Sequence, residues 1–552
     1  MNKILTTCVF ATALLSAAMK AQAPAWGWAK STGGSGNDGT NGIYVDASKN
    51  TYATGSFASP SITFGTTTLT NNGGLDYFVV KYDPSGNVLW AKGANGLSND
   101  VGNSVAVDAA GNVYVLATSN STVITFGTVH FTLHGHDDII VIKYNSSGTV
   151  IWAKGFGGNL DDVSEGIAVD ANGNSYITGY FGSVGFSFGT KPVSNAGTNN
   201  AFITKLDSSG TVLWANSAGG TNDDRANGIA LDASGNTWIT GYFSSASASF
   251  GTVSLTNTGS DDCFLAKYDA SGAISWAKGT VGASNEIGYS VTADASGNAY
   301  VAGAFNGSSM TAGTTTLNNQ GNDDAFALKY NASGTLQWAK AAGGTLNDIG
   351  DAIAVDASGD VYVAGYFASP SLVFGTTTLN NIGTNNMFIT KYDGSGNVLW
   401  AEKAGGSSDD RINCMHLDAD GNAYVGGFFS TPTINLGTNV FTNAGNSGTQ
   451  DMYVAKLVSG NTGILENTMP STVLKAFPNP TTGLFELAFT HSINPVATVI
   501  LMDMQGREVY REKRDFNQAG SRLDLSSRPD GLYYVVVDDG TVLYCSKVML
   551  TR

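Results

Sequence analysis

Short apolar runs alternate with clusters of Gly, Asn, Asp and Ser along most of the chain. Between residues 105 and 154 the runs are Val105–Asp108, Val113–Ala117, Asp138–Tyr144 and Thr149–Lys154. Each has strand length and is rich in branched and aromatic side chains. The first and second are joined by Asp108-Ala-Ala-Gly-Asn112, the third and fourth by Asn145-Ser-Ser-Gly148. Gly supplies positive φ in such turns, and Asp or Asn bonds its own backbone, so both read as tight reversals. The pattern predicts four antiparallel strands, with one long insert between the second and the third.

The same unit returns every 62 residues. Trp28, Trp90, Trp152, Trp214, Trp276, Trp338 and Trp400 mark one register, and Asp46, Asp108, Asp170, Asp232, Asp294, Asp356 and Asp418 a second. A third is Tyr52, Tyr114, Tyr176, Trp238, Tyr300, Tyr362 and Tyr424. A fourth, Gly65, Gly127, Gly189, Gly251, Gly313, Gly375 and Gly437, lies in the insert and follows a Phe in five of the seven copies. Seven tandem four-stranded units predict a seven-bladed β-propeller, an all-β fold. Third strands are followed by a Trp-bearing strand in every copy but the last, Met452–Leu457; the missing one lies at Ala25–Lys30. The N-terminal strand is therefore expected to complete the seventh blade and leave no open edge.

With 42% hydrophobic residues the chain is not disordered, although only 13% are charged. The net charge of -16 argues against nucleic acid, whose phosphates need a basic face. Residues 1–23 read as a signal peptide, with Lys3 ahead of an apolar stretch from Ile4 to Ala18 and Ala21-Gln-Ala23 offering a cleavage site between Ala21 and Ala25. Leu5-Thr-Thr-Cys8 lies at the start of the apolar stretch rather than after its core, which argues against a lipid anchor, and no other segment is apolar enough for a membrane helix. Cys263, Cys414 and Cys545 fit neither a disulfide framework nor a zinc site.

The recurring WAK…GG…D…SGN.Y..G.F…FGT…KY pattern resembles the SBBP-type bacterial β-propeller repeat, over residues 26 to about 460. It implies a fold and an extracytoplasmic setting, and no single activity. The propeller is set at residues 24–460, a linker at 461–471, and a second all-β domain, an Ig-like sandwich, at 472–552. This last domain resembles the type A C-terminal sorting domain of the type IX secretion system of Bacteroidetes. The matching residues are Pro478, Asn479, Pro480 and Gly483, then Gly506, then Gly531 and Tyr533, and finally Lys547. The resemblance implies the secretion machinery as a partner. It also implies passage through the periplasm and the outer membrane, and release or surface attachment.

Strand order puts the insert and the fourth-to-first loop on one face, where a binding site belongs. Asp38, Asp100, Asp162, Asp224, Glu286, Asp348 and Asp410 are placed in those fourth-to-first loops. Asp76, Asp138, Asp262, Asp324 and Asp451 open third strands, with Asn200 and Asn386 in the other two. Paired carboxylates suit Ca²⁺, the one ion this pattern suggests; the competing reading is that each Asp caps its own loop. Asp418-Ala-Asp420-Gly-Asn422 looks calcium-like but occupies the common turn. No motif calls for another cofactor.

Departures between copies carry more information about function. Asn41, Asn103, Glu165, Asn227, Tyr289, Asp351 and Asn413 share a register just before the first strand, near the channel mouth. Glu165 and Asp351 are its only carboxylates and the only candidate catalytic pair, three blades apart; glycoside hydrolysis needs two within reach of one bond. Copy two has Ser119 where Phe prevails, and His130, His134 and His136 in its insert, either a metal group or a solvated loop. Arg225 and Arg411 either meet acidic ligands or pair with Asp224 and Asp410. The leading expectation is an exported glycan- or protein-binding module. The alternatives are a polysaccharide-acting hydrolase or lyase and a structural surface protein.

Overall fold

The structure is a computed structural model. It describes residues 24–94, 96–133, 135–445, 448–458, 474–489, 494–502, 508–519, 521–539 and 543–551. The chain divides into two units, residues 1–460 and 461–552.

The first unit contains seven antiparallel blade sheets, six of four strands and one, opening at Asp162–Val169, extended to six by the hairpin Ser247–Phe250 and Val253–Thr256. In the first blade the strands are Asp38–Val45, Thr51–Phe57, Asp76–Tyr82 and Val88–Gly93, paired in that order. The first strands of all seven blades line one central cavity of about 450 Å³, so the blades form a closed ring. The seventh blade takes its outer strand from the N-terminus: Ala25–Thr32 pairs antiparallel with Asp451–Val458.

The repeated residues hold neighbouring blades together. Side chains of one sheet pack into those of the next; Tyr52 and Val79 share a buried cluster with Val105, Val115 and Ile140 of the following blade. Trp90 donates its indole N–H to the carbonyl of Ser146 in the next third-to-fourth turn at 3.1 Å, and Trp152 does the same to Ser208 at 3.0 Å. Gly148 lets this turn approach, since a Cβ there would lie 2.9 Å from the Trp90 ring. The Asp46 carboxylate accepts from the amides of Ser48 and Asn50, closing the first-to-second turn. The long insert folds into a hairpin, Ser61–Phe64 against Thr67–Thr70, reversed at Gly65 with φ of 58°. That positive φ is what a two-residue hairpin turn demands of its first residue, and it explains the fourth register.

First strands start earlier than the hydrophobic pattern suggests, at the Asp38 register. Asp38 and its equivalents are therefore the opening residues of strands, which corrects their expected place in loops. The Asn41 register likewise lies inside the strand. These segments are rich in Gly, Asn and Ser, and their backbones pair in the ladder although little in their side chains marks a strand.

The second unit is a two-sheet sandwich. Leu474–Phe477, Leu484–Phe489 and Arg522–Asp524 form one sheet, and Glu508–Asp515, Val496–Met502, Gly531–Asp538 and Leu543–Leu550 the other. Leu474, Phe485, Val499, Val535 and Val548 meet in its core.

Candidate functional site

Each first strand carries a β-bulge, and the bulged residue is the candidate ligand residue. Pairing with the second strand skips Asn41, Asn103, Glu165, Asn227, Tyr289, Asp351 and Asn413 in turn. A bulge leaves its extra residue out of the ladder and re-aims its side chain. All seven line a mouth cavity of about 460 Å³, together with Arg225, Tyr242 and Ile287. It lies at the starts of the first strands, on the face of the long loops.

Four of the seven hold neighbouring blades. Asn41 donates its side-chain amide to the carbonyl of Gly102 at 3.2 Å, and Asn227 to that of Gly288 at 2.9 Å. Asn103 donates to the carbonyl of Ser164, and Asn413 to that of Thr40 at 3.1 Å. Each bond ties a bulge to the first strand of the next blade. Glu165, Tyr289 and Asp351 stand where such an Asn would be. Among the described residues Asp351 Oδ2 is buried with no hydrogen-bond partner. Burial raises the Glu165 carboxyl to about 7 against the pull of Arg225, and the Asp351 carboxyl to about 8 against that of Arg411.

The two arginines repeat one arrangement three blades apart. Arg225 Nε lies 2.9 and 3.0 Å from the oxygens of Asp223, and its guanidinium stacks 4.1 Å from the Tyr180 ring centre. Arg411 donates to Asp409 at 2.8 and 3.0 Å and stacks 4.1 Å from the Tyr366 ring centre. Asn199 and Asn385 each add a bond of 2.7 Å to Asp223 and Asp409. The expected partners Asp224 and Asp410 are thus replaced by Asp223 and Asp409. In a strand, residues two apart share a face and adjacent ones do not, a signal already available in Asp223-Asp-Arg225.

The acidic registers are buried inside the blades. Asp38 accepts from the amide and hydroxyl of Ser59 at 3.1 and 2.6 Å and from the amide of Gly34 at 3.0 Å. Asp224 with Ser245, Asp348 with Ser369 and Asp410 with Thr431 repeat this; Asp100 takes Ser119 and Ser121, and Asp162 takes the amides of Gly158 and Ser183. Glu286 departs: position 307 is Gly, so the hydroxyl is missing, and its buried carboxyl meets Asp262 and Thr280 instead. Burial, then Asp262, pushes it up to about 9. Among third-strand openers, Asp76 accepts from the amide of Asn72, and Asn386 from that of Ile382. Asp418 bonds the amides of Asp420 and Asn422, both at 3.0 Å, in its own turn. Among the described residues no three His, Cys, Asp or Glu side chains gather as metal ligands. His130 bonds Thr125 and His136 faces Asp161, while His134 lies outside the described residues.

In the second unit the sorting residues converge. Asn479 donates to the carbonyl of Lys547 at 2.6 Å and accepts from the amide of Met549 at 2.8 Å, fastening Pro478–Gly483 to the final strand. Pro478 and Pro480 follow cis peptide bonds. Tyr533 donates to the carbonyl of Pro529, just before Gly531. Gly506, like the signal region 1–23 and the linker 461–471, lies outside the described residues.

Residues 475–551 match the secretion system C-terminal sorting domain, and residues 151–180 the beta-propeller repeat. An uncharacterized WD repeat-containing protein of Acanthamoeba polyphaga mimivirus is 26% identical over 473 residues, covering 71% of this chain and 34% of the relative. The regulatory protein FlaEY of Caulobacter vibrioides is 32% identical over 121 residues, covering 21% of this chain and 13% of the relative. The chain thus spans about a third or less of these relatives. Among solved structures, the apocarotenoid oxygenase of Synechocystis is 10% identical with a TM-score of 0.34, covering 67% of this chain and 74% of that one. A puromycin hydrolase is 9% identical with a TM-score of 0.37, covering 91% and 58%. The chain carries propeller repeats and a sorting domain for type IX secretion, which exports it to the cell surface or the extracellular space. Among the described residues no helix is long and apolar enough to cross a membrane.

Proposed function

We propose that the propeller is an extracellular binding module whose ligand, a glycan or a protein segment, enters the mouth lined by the seven bulge residues. One observation carries the reading. Three of seven equivalent positions give up the Asn bond that joins neighbouring blades, and the three replacements share one cavity with Arg225 and Tyr242. A fold under selection for stability alone has no use for that loss, whereas a site does. The test is thermal unfolding of the full chain against glycans and peptides, since a ligand of the folded state raises the midpoint saturably. Asn227→Trp, which fills the mouth, should abolish any such shift. A ligand that binds this variant as tightly as the parent places the site elsewhere.

A second reading, action on a polysaccharide, is favoured by two carboxyls at about 7 and about 8 on one cavity, a range suited to proton transfer near neutral pH. It requires turnover that Glu165→Gln or Asp351→Asn removes.

A further inference from the structure

We propose that the mouth selects an amino sugar with a free, protonated amine, which meets the carboxylate of Asp351 while the sugar ring lies against Tyr289. This deepens the binding-module reading and rests on it.

The charged and amide donors of the mouth are each engaged with the protein. Asn41, Asn103, Asn227 and Asn413 each commit a side-chain N–H to the next blade and keep their side-chain oxygens as acceptors. Arg225 is held by Asp223 and Arg411 by Asp409, and the hydroxyl of Tyr242 also goes to Asp223 at 2.9 Å. Each arginine is paired with its own aspartate while also acting on Glu165 or Asp351, so two arginines face four carboxyls and ionisation of Glu165 and Asp351 leaves the group net negative. Beyond these six groups, Asp137 bears on Tyr180, and Asp323 on Tyr289 and Tyr366. A ring of acceptors with net negative charge selects a donor-rich cation and rejects anions.

Asp351 is the strongest candidate anchor. Its Oδ2 is buried and unpartnered, and Tyr289 of the preceding blade lies in its field. Burial without a hydrogen bond is costly for a carboxylate, and an ammonium group on the cavity side of this carboxyl supplies the opposite charge. Tyr289 and Tyr242 both line the cavity, offering aromatic surface to a sugar ring.

Calorimetric titration of the full chain with glucosamine, N-acetylglucosamine, glucose and a Gly-Lys-Gly tripeptide, at pH 5.5 and 6.5, tests this. Ionisation of Asp351 must precede binding, and burial holds that group protonated in this range against Arg411, with Tyr289, Tyr366 and Asp409 also nearby. Glucosamine should therefore bind about tenfold tighter at pH 6.5 than at 5.5. The N-acetyl sugar and glucose should bind at least about tenfold more weakly, having lost the charge. Asp351→Asn should lose glucosamine binding and raise the unfolding midpoint, because the new amide can reach the next blade as Asn41 does. Equal binding of the N-acetyl sugar, affinity flat or falling with pH, unchanged binding in Asp351→Asn, preference for the tripeptide, or no binding of glucosamine would each overturn the proposal. A neutral sugar or peptide excluded by Asn227→Trp would overturn it while leaving the mouth as the binding site.

Discussion

Asn413 and Thr40 are joined across the seam of the ring: the Asn413 side-chain amide donates to the Thr40 carbonyl at 3.1 Å, linking the seventh blade to the first. The bond equals the one from Asn227 to Gly288 between consecutive blades. A covalent discontinuity thus lies within the seventh blade, while the interface between the seventh and first blades is joined as those of Asn41, Asn103 and Asn227 are.

Asn413→Ala and Asn227→Ala should cost the propeller similar amounts, about 1 kcal/mol each, the usual worth of such a bond. Urea unfolding measures this. A much larger loss for Asn413→Ala would show that the seam is weaker than the other interfaces.

Trp152→Phe should destabilise by about 1 kcal/mol through loss of its bond to Ser208. Trp214 in the next blade has a buried indole N–H with no partner, so Trp214→Phe should be near neutral. Equal losses would mean that ring volume, not hydrogen bonding, fixes the register.

Stability should fall as pH rises from about 4 to 9. Burial lifts Asp100, Asp324 and Asp451 to about 6, Glu165 to about 7, Asp351 to about 8 and Glu286 to about 9. Unfolded carboxyls titrate near 4, so across this window the folded state holds more protons and loses stability with each rise in pH. Glu286→Gln should raise the midpoint at pH 8 and flatten its pH dependence; an unchanged profile would show that Glu286 does not contribute.

Asn479→Ala should lower the stability of the sorting domain by about 1–3 kcal/mol, since it removes bonds to Lys547 and Met549. It should also reduce export, measured as secreted against periplasmic protein. Full export with a loosened final strand would mean that the secretion machinery does not read this junction.

The blades and their closure were legible because Trp28, Asp46, Tyr52 and Gly65 recur without insertion and each does local structural work. Trp28 bonds to the next turn, Asp46 caps its own, Tyr52 packs in the core and Gly65 reverses a hairpin. The ring of mouth residues was visible as a register whose members differ. The bulge behind it was not, because a skipped ladder bond leaves no trace in hydrophobic alternation. Nor were the interblade bonds of the four Asn residues, since each partner is a backbone carbonyl and carries no side-chain signature. The partners of Arg225 and Arg411 were misassigned by proximity in sequence, where strand geometry favours Asp223 and Asp409. The missing hydroxyl at Glu286 depended on Gly307, which could be noticed only once Ser59 and its equivalents were seen to cap the opening acid.

The strand Ala25–Thr32 finds its partner only at Asp451–Val458; Ser31 and Met452, which bond across the pair, are 421 positions apart. The first strand to be made is thus the last to be used, after on the order of a minute of synthesis. A chain stopped before residue 451 leaves that strand idle, with no partner to seal the seventh blade. Ring closure therefore acts as a gauge of length, passed only when the whole repeat array has been made.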